Sequence, residues 1–360
     1  MKTYKNLHEL IFFVTSRCNS RCRHCFNWKN LNKKTDLDLR QISLLIQKMP
    51  PINNLLLSGG EPFLRTDLPE LINLFIQHNQ IKTVSIPTNG LLTENILTTL
   101  KKILMLKNLK TVNINFSLDG LAETHNKIRG IENNFQITLE TIKEVDKLKE
   151  THKNLNLLIN SVVLEENRQQ LLKLTDLISS QAQINGHFFE IIRPLGPDNF
   201  NKLKFPFSFY QTLLEKQYDY FKKQIKTKNI LKRFIKKIFF LGHQFLIYKT
   251  QYNNYFFQKN WPINCSAGKN IIVLNDEGLI NVCELRSKQF NLMNYSSWRE
   301  LNQSVEYQEE LKRIKKEKCF CTHSCFLDAS FNFQPKFKYL HYSFYGLINY
   351  CYYEIIHRHS

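Results

Sequence analysis

The sequence has no long apolar run and contains little glycine, proline, methionine or tryptophan. Its 360 residues include 11 Gly, 10 Pro, 4 Met and 3 Trp. No apolar segment approaches the roughly 18 residues that indicate a membrane-spanning helix. The opening residues, MKTYKNLHELIFFVTSRC, contain only a short apolar stretch and no small-residue cleavage site, which argues against a secretory signal peptide. We therefore expect a cytoplasmic protein.

Acidic residues are scarce relative to basic ones. Asp and Glu number 31 against 50 Lys and Arg, which gives a formal net charge of +19. Such an excess suits a nucleic acid, an anionic membrane or an acidic peptide as partner. A genome biased towards Lys, Asn and Ile codons explains it more simply, so the charge alone identifies no partner. No recognised RNA-binding motif accompanies it, and we do not expect nucleic acid as a partner.

The bulk composition is that of a folded protein, and its cysteines point to metal chemistry. Hydrophobic residues make up 42% of the chain, which is enough for a buried core. There are nine cysteines, an odd number that cannot pair completely. Reduced thiols in a cytoplasmic protein are more often metal ligands or catalytic groups than disulfides.

Strand-like and helix-like segments alternate over the first half of the chain. Short apolar runs indicate strands at 10–16, 54–59, 84–88, 112–118, 155–163 and 187–192. Amphipathic stretches predict helices near 38–49, 67–79, 93–106, 134–150 and 167–180, several of them opened by the capping residues Asp38, Thr66 and Thr93. This alternation favours a parallel sheet. We expect an α/β fold, a partial (β/α)6 TIM-like barrel, with functional groups at the carboxyl ends of its strands.

Three cysteines follow the first predicted strand in the spacing C-x3-C-x2-C, at Cys18, Cys22 and Cys25. Three thiolates on one loop can ligate three irons of a [4Fe–4S] cluster, which leaves the fourth iron open to a small molecule. A structural zinc site uses four protein ligands. Because His24 is available in the loop as a fourth ligand, zinc stays as the alternative.

This loop, with His24 before its last cysteine, resembles the radical SAM superfamily, and the resemblance extends over residues 8–195. It implies that the open iron binds the amino and carboxylate groups of S-adenosylmethionine (SAM). It also implies that one electron cleaves SAM to methionine and a 5′-deoxyadenosyl radical, which abstracts hydrogen from a substrate. A reductant such as ferredoxin or flavodoxin is the implied partner. The protein's own task is to position these groups and to exclude side reactions.

Other motifs at predicted strand ends supply the candidate SAM contacts. The second strand ends in SGGEP, where Gly59 and Gly60 permit a close backbone approach and Glu61 offers a carboxylate to the SAM ammonium. By resemblance, Ser117 contacts the ribose and Arg129 binds the SAM carboxylate. The remaining candidate cofactor contacts are Pro62, Thr88, Asn89, Asn160 and Arg193.

Two acidic residues near these motifs have other interpretations. An internal ion pair between Glu190 and Arg193 is an alternative to a cofactor contact at Arg193. We interpret Asp119, which follows the fourth strand, as a turn or N-cap residue.

Five further cysteines lie downstream. Cys265 and Cys283 flank a hairpin signal with the turn NDEG, and C-x-C-x3-C follows at Cys319, Cys321 and Cys325. This order resembles the SPASM/twitch extension of the superfamily. It implies a twitch-like domain with one auxiliary [4Fe–4S] cluster, ligated by Cys265, Cys283 and two of the last three cysteines. Ligation by all three and a zinc knuckle are the alternatives.

Two residues near the second set need separate interpretations. Glu284 follows a predicted ligand, and the resemblance implies that an acidic residue there takes a proton from the substrate, so Glu284 is our catalytic candidate; a solvated surface residue is the alternative. Cys351 lies in the aromatic stretch YCYY and is interpreted as a packed core thiol.

The chain divides by composition into four segments. We predict a radical SAM core over 1–205, a basic aromatic helical segment over 206–260, an auxiliary cluster domain over 261–330 and an aromatic tail over 331–360. The basic helices either cover the barrel with a solvated lysine face or lie on an anionic membrane surface or an acidic peptide.

The leading hypothesis is a radical SAM oxidoreductase that acts on a peptide or protein side chain. The catalytic loop begins at residue 18, so a peptide substrate would need a separate leader-recognition protein or capture by the basic helices. The alternatives are modification of a small carbohydrate, nucleoside or lipid intermediate and, more distantly, a non-catalytic metal-binding protein associated with RNA.

Overall fold

The computed structural model describes residues 7–33, 36–193, 203–225, 229–317, 321–334 and 336–357. Its strands are β1 (Leu7–Thr15), β2 (Ile52–Gly59), β3 (Thr83–Thr88), β4 (Thr111–Ser117), β5 (Leu155–Val163), β6 (Gly186–Ile191), β7 (Ile271–Leu274), β8 (Leu279–Asn281) and β9 (Gln289–Asn291). Its helices are α1 (Leu39–Ile46), α2 (Leu68–Asn79), α3 (Thr93–Leu104), α4 (Ala122–Arg129), α5 (Asn134–Leu148), α6 (Leu171–Gln181), α7 (Phe207–Gln224), α8 (Ile230–Phe257), α9 (Trp298–Gln303), α10 (Val305–Glu317), α11 (Ser324–Asn332) and α12 (Lys336–His357).

The six expected strands form the parallel core of one sheet, which confirms the predicted α/β barrel architecture. The strand order is β6-β5-β4-β3-β2-β1-β7-β8-β9, and every neighbour from β6 to β7 is parallel. In β5 the buried and partly exposed residues alternate, as expected of a strand with two different faces. Helices α1 to α6 carry apolar residues at helical spacing and bury them against the sheet.

The predicted helix starts were right at one position and wrong at two. Asp38 is the N-cap of α1, where its carboxylate accepts from the backbone N–H of Gln41 in a capping box. The N-cap of α2 is Asp67 rather than Thr66, and Thr93 is already inside α3, after the N-cap Leu92. The 122–129 helix was not predicted, because its mixed polar sequence gave no amphipathic signal.

The second cysteine region continues the barrel sheet. β7 and β8 form the predicted antiparallel hairpin, with Gly278 in its turn at a φ of +83°. β7 also pairs in parallel with β1, so that Glu9 lies beside Ile271. The prediction did not include this pairing or β9, since neither can be read from local sequence. The predicted domain boundaries stay a prediction.

Of the helices after the barrel strands, α7 and α8 pack on each other and on β6, and α12 packs on α8. The hydroxyl of Tyr210 in α7 donates to the carbonyl of Phe189 in β6 at 3.0 Å and to Gln251 in α8 at 2.7 Å. α12 crosses α8 where Gly242 and Gly346 let the two backbones meet. Cys351 is exposed on α12, so its interpretation as a core thiol was wrong.

No helix within the described ranges is long and apolar enough to cross a membrane.

The contact between α8 and α12 makes a stability prediction. Alanine normally stabilises a helix interior by roughly 0.5–1 kcal/mol relative to glycine. A Cβ on Gly242, however, would overlap the carbonyl oxygen of Ser343. We therefore expect Gly242→Ala to lower the free energy of unfolding by about 1–3 kcal/mol, the usual cost of overpacking. Urea denaturation followed by circular dichroism measures it, and a stabilised variant would contradict the close crossing.

Candidate active site and metal centres

The first cysteine loop opens onto a cavity of about 270 Å3 at the carboxyl ends of the barrel strands. We call it the thiol cavity. All ten predicted SAM contacts except Pro62, and all three cysteines of the loop, line its wall. Its lining residues include Cys18, Cys22, His24, Cys25, Gly59, Gly60, Glu61, Thr88, Asn89, Ser117, Arg129, Asn160 and Arg193. The structure thus brings together residues that six strands, or the loops directly after them, supply.

A single carboxylate holds the start of the cysteine loop. Asp36 accepts hydrogen bonds from the hydroxyl of Thr15 at 2.6 Å and from the backbone N–H of Ser16 at 2.9 Å. The Asn32 side chain accepts from the N–H of Cys18 at 3.0 Å. Neither Asp36 nor Asn32 was predicted, because both act on the loop from positions that follow it. These hydrogen bonds fix the backbone where β1 ends and the cysteine loop begins.

The two glycines of SGGEP are needed for packing against this same loop. A Cβ on Gly60 would overlap the carbonyl oxygen of Arg17, and one on Gly59 would overlap that of Thr15. Because neither glycine has a Cβ, the backbone N–H of Gly60 can donate a hydrogen bond to the carbonyl oxygen of Thr15 at 2.8 Å. The close backbone approach that the sequence indicated is therefore an approach of β2 to the cysteine loop.

Glu61 is buried and tightly held. Its carboxylate accepts from the Thr88 hydroxyl at 2.9 Å and from the backbone N–H of Asn89 at 2.8 Å. Burial raises the pKa of Glu61 to about 7, and these hydrogen bonds oppose the rise. Thr88 and Asn89, predicted as cofactor contacts, therefore also position the Glu61 carboxylate.

Arg129 is joined to Asp119 in a buried ion pair. The Arg129 Nε and Nη2 atoms lie 2.7 and 2.6 Å from Asp119 Oδ2, and its Nη1 donates to the sulfur of Cys22 at 3.5 Å. Burial acts to raise the pKa of Asp119, but Arg129 and then His24 outweigh it, so this pKa lies below its usual value. The N-cap interpretation of Asp119 was wrong, since the N-cap of α4 is Leu121; Asp119 lies in the connection between β4 and α4. Asp119 instead orients the guanidinium towards the thiols.

The cavity wall fits a thiolate-bound cluster and a polar small molecule. The Nδ1 atom of His24 is buried without a hydrogen-bond partner in the described part of the chain, and an orphaned polar atom on a cavity wall suits a bound ligand. Burial raises the pKa of Cys18 to about 12 and that of Cys25 to about 11. At neutral pH these thiols are therefore protonated without a metal. They release their protons when a metal binds, because thiolate ligation requires it.

A second set of thiols lines a separate space, the auxiliary cavity, beside β7 and β8. Cys265, Cys283 and Cys321 lie on its wall together with Trp261 and Phe326. The Trp261 indole N–H donates to the carbonyl of Cys321 at 2.9 Å, which secures the chain there. Burial raises the pKa of Cys283 above its usual range.

Of the two other cysteines of this predicted set, the structure describes Cys325. Cys325 does not line the auxiliary cavity. Its half-buried thiol faces the barrel interior, where burial raises its pKa and Glu9, Glu190 and Glu284 raise it further. The sequence could not separate Cys321 from Cys325, because the start of α11 turns them to opposite sides. Cys319 lies outside the described residues.

No group of three or more His, Cys, Asp or Glu side chains within the described ranges is placed to hold a metal ion. The thiols of a [4Fe–4S] cluster each bind a different iron, so they do not converge on one point. The two thiol sets remain the candidate cluster ligands.

Glu284 lies on the wall of the barrel interior and is fully paired. Its Oε2 atom lies 2.8 Å from Arg193 Nη1 and 2.5 Å from His323 Nε2. Burial acts to raise the pKa of Glu284, but His323 and Arg193 outweigh it and hold this pKa at about 2. Arg193 thus pairs with Glu284 and not with Glu190, the partner that the sequence left open as an alternative. Arg193 also stacks over Phe26, with 4.4 Å from its Cζ to the ring centroid. Sequence reasoning missed His323, which carried no motif.

The barrel lumen adjoins the thiol cavity. It is a space of about 460 Å3 lined by strands of the sheet together with α8 and α11. The residues common to both walls are Phe26, Ser58, Pro87, Asn160, Glu190 and Arg193. A molecule in the lumen would therefore lie directly against whatever occupies the thiol cavity.

Sequence comparisons identify relatives that share part of this chain. Fe-coproporphyrin III synthase from Methanosarcina barkeri is 33% identical over 136 residues, which are 36% of this chain and 32% of that protein. GTP 3′,8-cyclase from Clostridium botulinum is 24% identical over 309 residues, which cover 81% of this chain and 85% of that enzyme. The chain thus spans about a third of the length of the first of these relatives.

Solved structures share the fold at low sequence identity. SuiB from Streptococcus suis, bound to its precursor peptide SuiA, matches 86% of this chain and 67% of its own with a TM-score of 0.56 and 16% identity. The enzyme anSMEcpe, with bound AdoMet and the Cp18Cys peptide, matches 98% of both chains with a TM-score of 0.54 and 18% identity. These matches show a common architecture.

One family model matches residues 12–178, a stretch that includes the cysteine loop, SGGEP and the Asp119–Arg129 pair. The description of that family is the radical SAM superfamily. With the predicted barrel and the thiol cavity in place, residues 12–178 form a radical SAM domain, and the cofactors of that superfamily are a [4Fe–4S] cluster and SAM.

Proposed function

We propose that this enzyme removes a hydrogen atom from a peptide or protein side chain that occupies the barrel lumen. When bound, the cluster and SAM supply the reducing electron and the hydrogen-abstracting chemistry. Cys18, Cys22 and Cys25 would hold the cluster. Glu61, fixed by its hydrogen bonds to β3, would receive the SAM ammonium, and Arg129 would meet its carboxylate.

The lumen carries this proposal, because it suits a side chain better than a nucleotide. It continues directly from the thiol cavity. Among the described residues on its wall, Arg193 is the only Lys or Arg, and Glu284 already neutralises it. A triphosphate needs several cationic or N–H donors to offset its charge. The likeness to GTP 3′,8-cyclase therefore does not extend to a phosphate site here.

Two peptide-bound structures with the same architecture support a peptide substrate. The SuiB structure contains the precursor peptide SuiA, and the anSMEcpe structure contains the Cp18Cys peptide. A lumen reached between strands and helices would admit one side chain while the peptide backbone stays outside. A separate leader-recognition protein and a low-potential reductant remain the proposed partners.

We also propose that Cys265, Cys283 and Cys321 hold an auxiliary [4Fe–4S] cluster. Their shared cavity and the hairpin that carries two of them support this assignment. Cys319 stays a predicted fourth ligand. Glu284, which follows Cys283 and reaches the lumen, stays a catalytic candidate whose charge Arg193 and His323 balance.

Replacing a thiol of the first loop should abolish SAM cleavage. We expect Cys22→Ser to lose at least 99% of 5′-deoxyadenosine formation, since a cluster held by two cysteines is not retained. The measurement is chromatography of anaerobic reactions with dithionite and SAM. Cys351→Ser, which changes an exposed cysteine, is the matched control and should retain wild-type yield. Normal product from Cys22→Ser would refute the assigned cluster site.

Iron content distinguishes the auxiliary ligands from Cys325. We expect roughly eight irons per reconstituted wild-type chain and about four for Cys283→Ser, because one of two four-iron clusters is lost. Cys325→Ser should keep roughly eight irons, since its thiol faces the lumen. Iron and labile-sulfide assays measure both variants. An equal loss from Cys325→Ser would place Cys325 among the ligands.

The substrate class can be tested by isotope transfer. Peptides extracted from cells grown on deuterated amino acids should pass deuterium to 5′-deoxyadenosine, because the abstracted hydrogen comes from a side chain. Mass spectrometry of the nucleoside measures the transfer, and GTP deuterated on its ribose is the comparison substrate. Transfer from GTP with none from peptides would overturn the peptide proposal and favour a nucleotide cyclase.

A further inference from the structure

The barrel lumen is acidic, although the chain as a whole is strongly basic. The net charge is +19, yet four carboxyl side chains reach the lumen wall in the described part of the chain, and one Lys or Arg does. The four are Glu9, Glu190, Glu284 and Asp328. Proteins rarely gather carboxylates around a cavity without something to balance them.

Internal pairing accounts for only part of this charge. Arg193 and His323 neutralise Glu284. Asp328 accepts from His243 at 2.8 Å. Glu9 and Glu190 have no ion pair with any described residue within 4 Å; Glu190 accepts an amide hydrogen bond from Gln251 at 3.2 Å.

The two unpaired carboxyls are costly to ionise where they stand. Burial, and then the neighbouring Asp328, raise the pKa of Glu9 to about 8, and burial raises the pKa of Glu190. Inside an empty lumen Glu9 would hold its proton at neutral pH, and burial makes the ionised form of Glu190 costlier than in water. A cation beside them would restore the ionised forms and gain a strong, weakly screened attraction.

An amide on the same wall also lacks a partner. The Asn115 side chain in β4 is 8% exposed and lines the lumen. It makes no hydrogen bond to any residue of the described ranges. A buried amide without a partner points to a polar group that completes it, because buried polar groups are nearly always hydrogen-bonded.

We infer that the lumen binds a cationic group of the substrate, an ammonium or a guanidinium, between Glu9 and Glu190, with Asn115 as a hydrogen-bond partner. This inference deepens the proposed function and rests on it: the modified peptide would present a lysine-like or arginine-like side chain. Glu9 lies near the amino end of β1, away from the cysteine loop, whereas Glu190 lines both the lumen and the thiol cavity.

The test uses small probes of matched shape on the reconstituted enzyme with SAM. The cationic probes are N-acetyl-lysine methylamide and N-acetyl-arginine methylamide, the neutral probe is N-acetyl-norleucine methylamide, and the anionic probe is N-acetyl-glutamate methylamide. Ligand-observed NMR titration gives each dissociation constant. We expect one cationic probe to bind at least about tenfold more tightly than the neutral and anionic probes.

Variants locate the effect. Glu9→Gln and Glu190→Gln should each weaken the favoured cationic probe at least about fivefold and leave the neutral probe unchanged. Glu277→Gln, at the exposed hairpin turn, is the matched control and should change neither. Circular dichroism checks that each variant is folded. If one variant does not fold, the other still tests the inference.

Equal binding of all probes, or full retention of cation binding in both folded variants, would overturn the inference. Failure of the proposed function is a separate result, because it is read from deuterium transfer and not from probe binding. A protein that cleaves SAM and takes deuterium from peptides, yet shows no preference for cationic probes, would keep the peptide substrate and lose the cation site.

Discussion

β1 lies inside the sheet between β2 and β7, and both proposed metal centres depend on it. One edge is hydrogen-bonded to β2, whose glycine-rich end presses on the first cysteine loop. The other edge is hydrogen-bonded to β7, which leads into the hairpin between Cys265 and Cys283. The end of β1 itself becomes that first loop. Because β1 is hydrogen-bonded to both β2 and β7, it fixes the distance between the two thiol sets.

Buried charges organise the space between these strands. The Asp119–Arg129 pair is enclosed, and removing one member of such a pair typically costs about 3–5 kcal/mol. Asp119 also accepts the backbone N–H of Val162 in β5 at 2.7 Å. The guanidinium beside Cys22 is therefore anchored to two strands through one carboxylate. In the lumen the balance is reversed, since carboxyls there outnumber their described cationic partners. The thiol cavity thus has Arg129 and Arg193 beside Glu61 and Glu190, whereas the lumen wall has a surplus of carboxyls.

The barrel could be predicted from the sequence because each strand and each amphipathic helix is a local pattern. The first thiol set and most of its neighbours could also be predicted, since SGGEP and the cysteine loop are contiguous motifs at strand ends. Asp36, Asn32 and His323 could not be predicted, because each acts through a contact with a residue distant in the chain. The same holds for the β1–β7 pairing and for the separation of Cys325 from Cys321, which depends on the turn that opens α11. Local sequence patterns predict helices and strands, whereas the partners of buried polar groups depend on the assembled fold.

The pairing of β1 with β7 also orders events during synthesis. Domains generally fold from the amino-terminal end as the chain leaves the ribosome. The six parallel strands, and with them the first thiol set, are complete once β6 has emerged. The second set cannot form until β7 arrives to pair with a strand made long before. Until then the β7 edge of β1 is unpaired, and unpaired edges invite association with other chains. The nascent chain therefore passes through a stage in which the first proposed metal centre can be loaded while one edge of β1 is still unpaired.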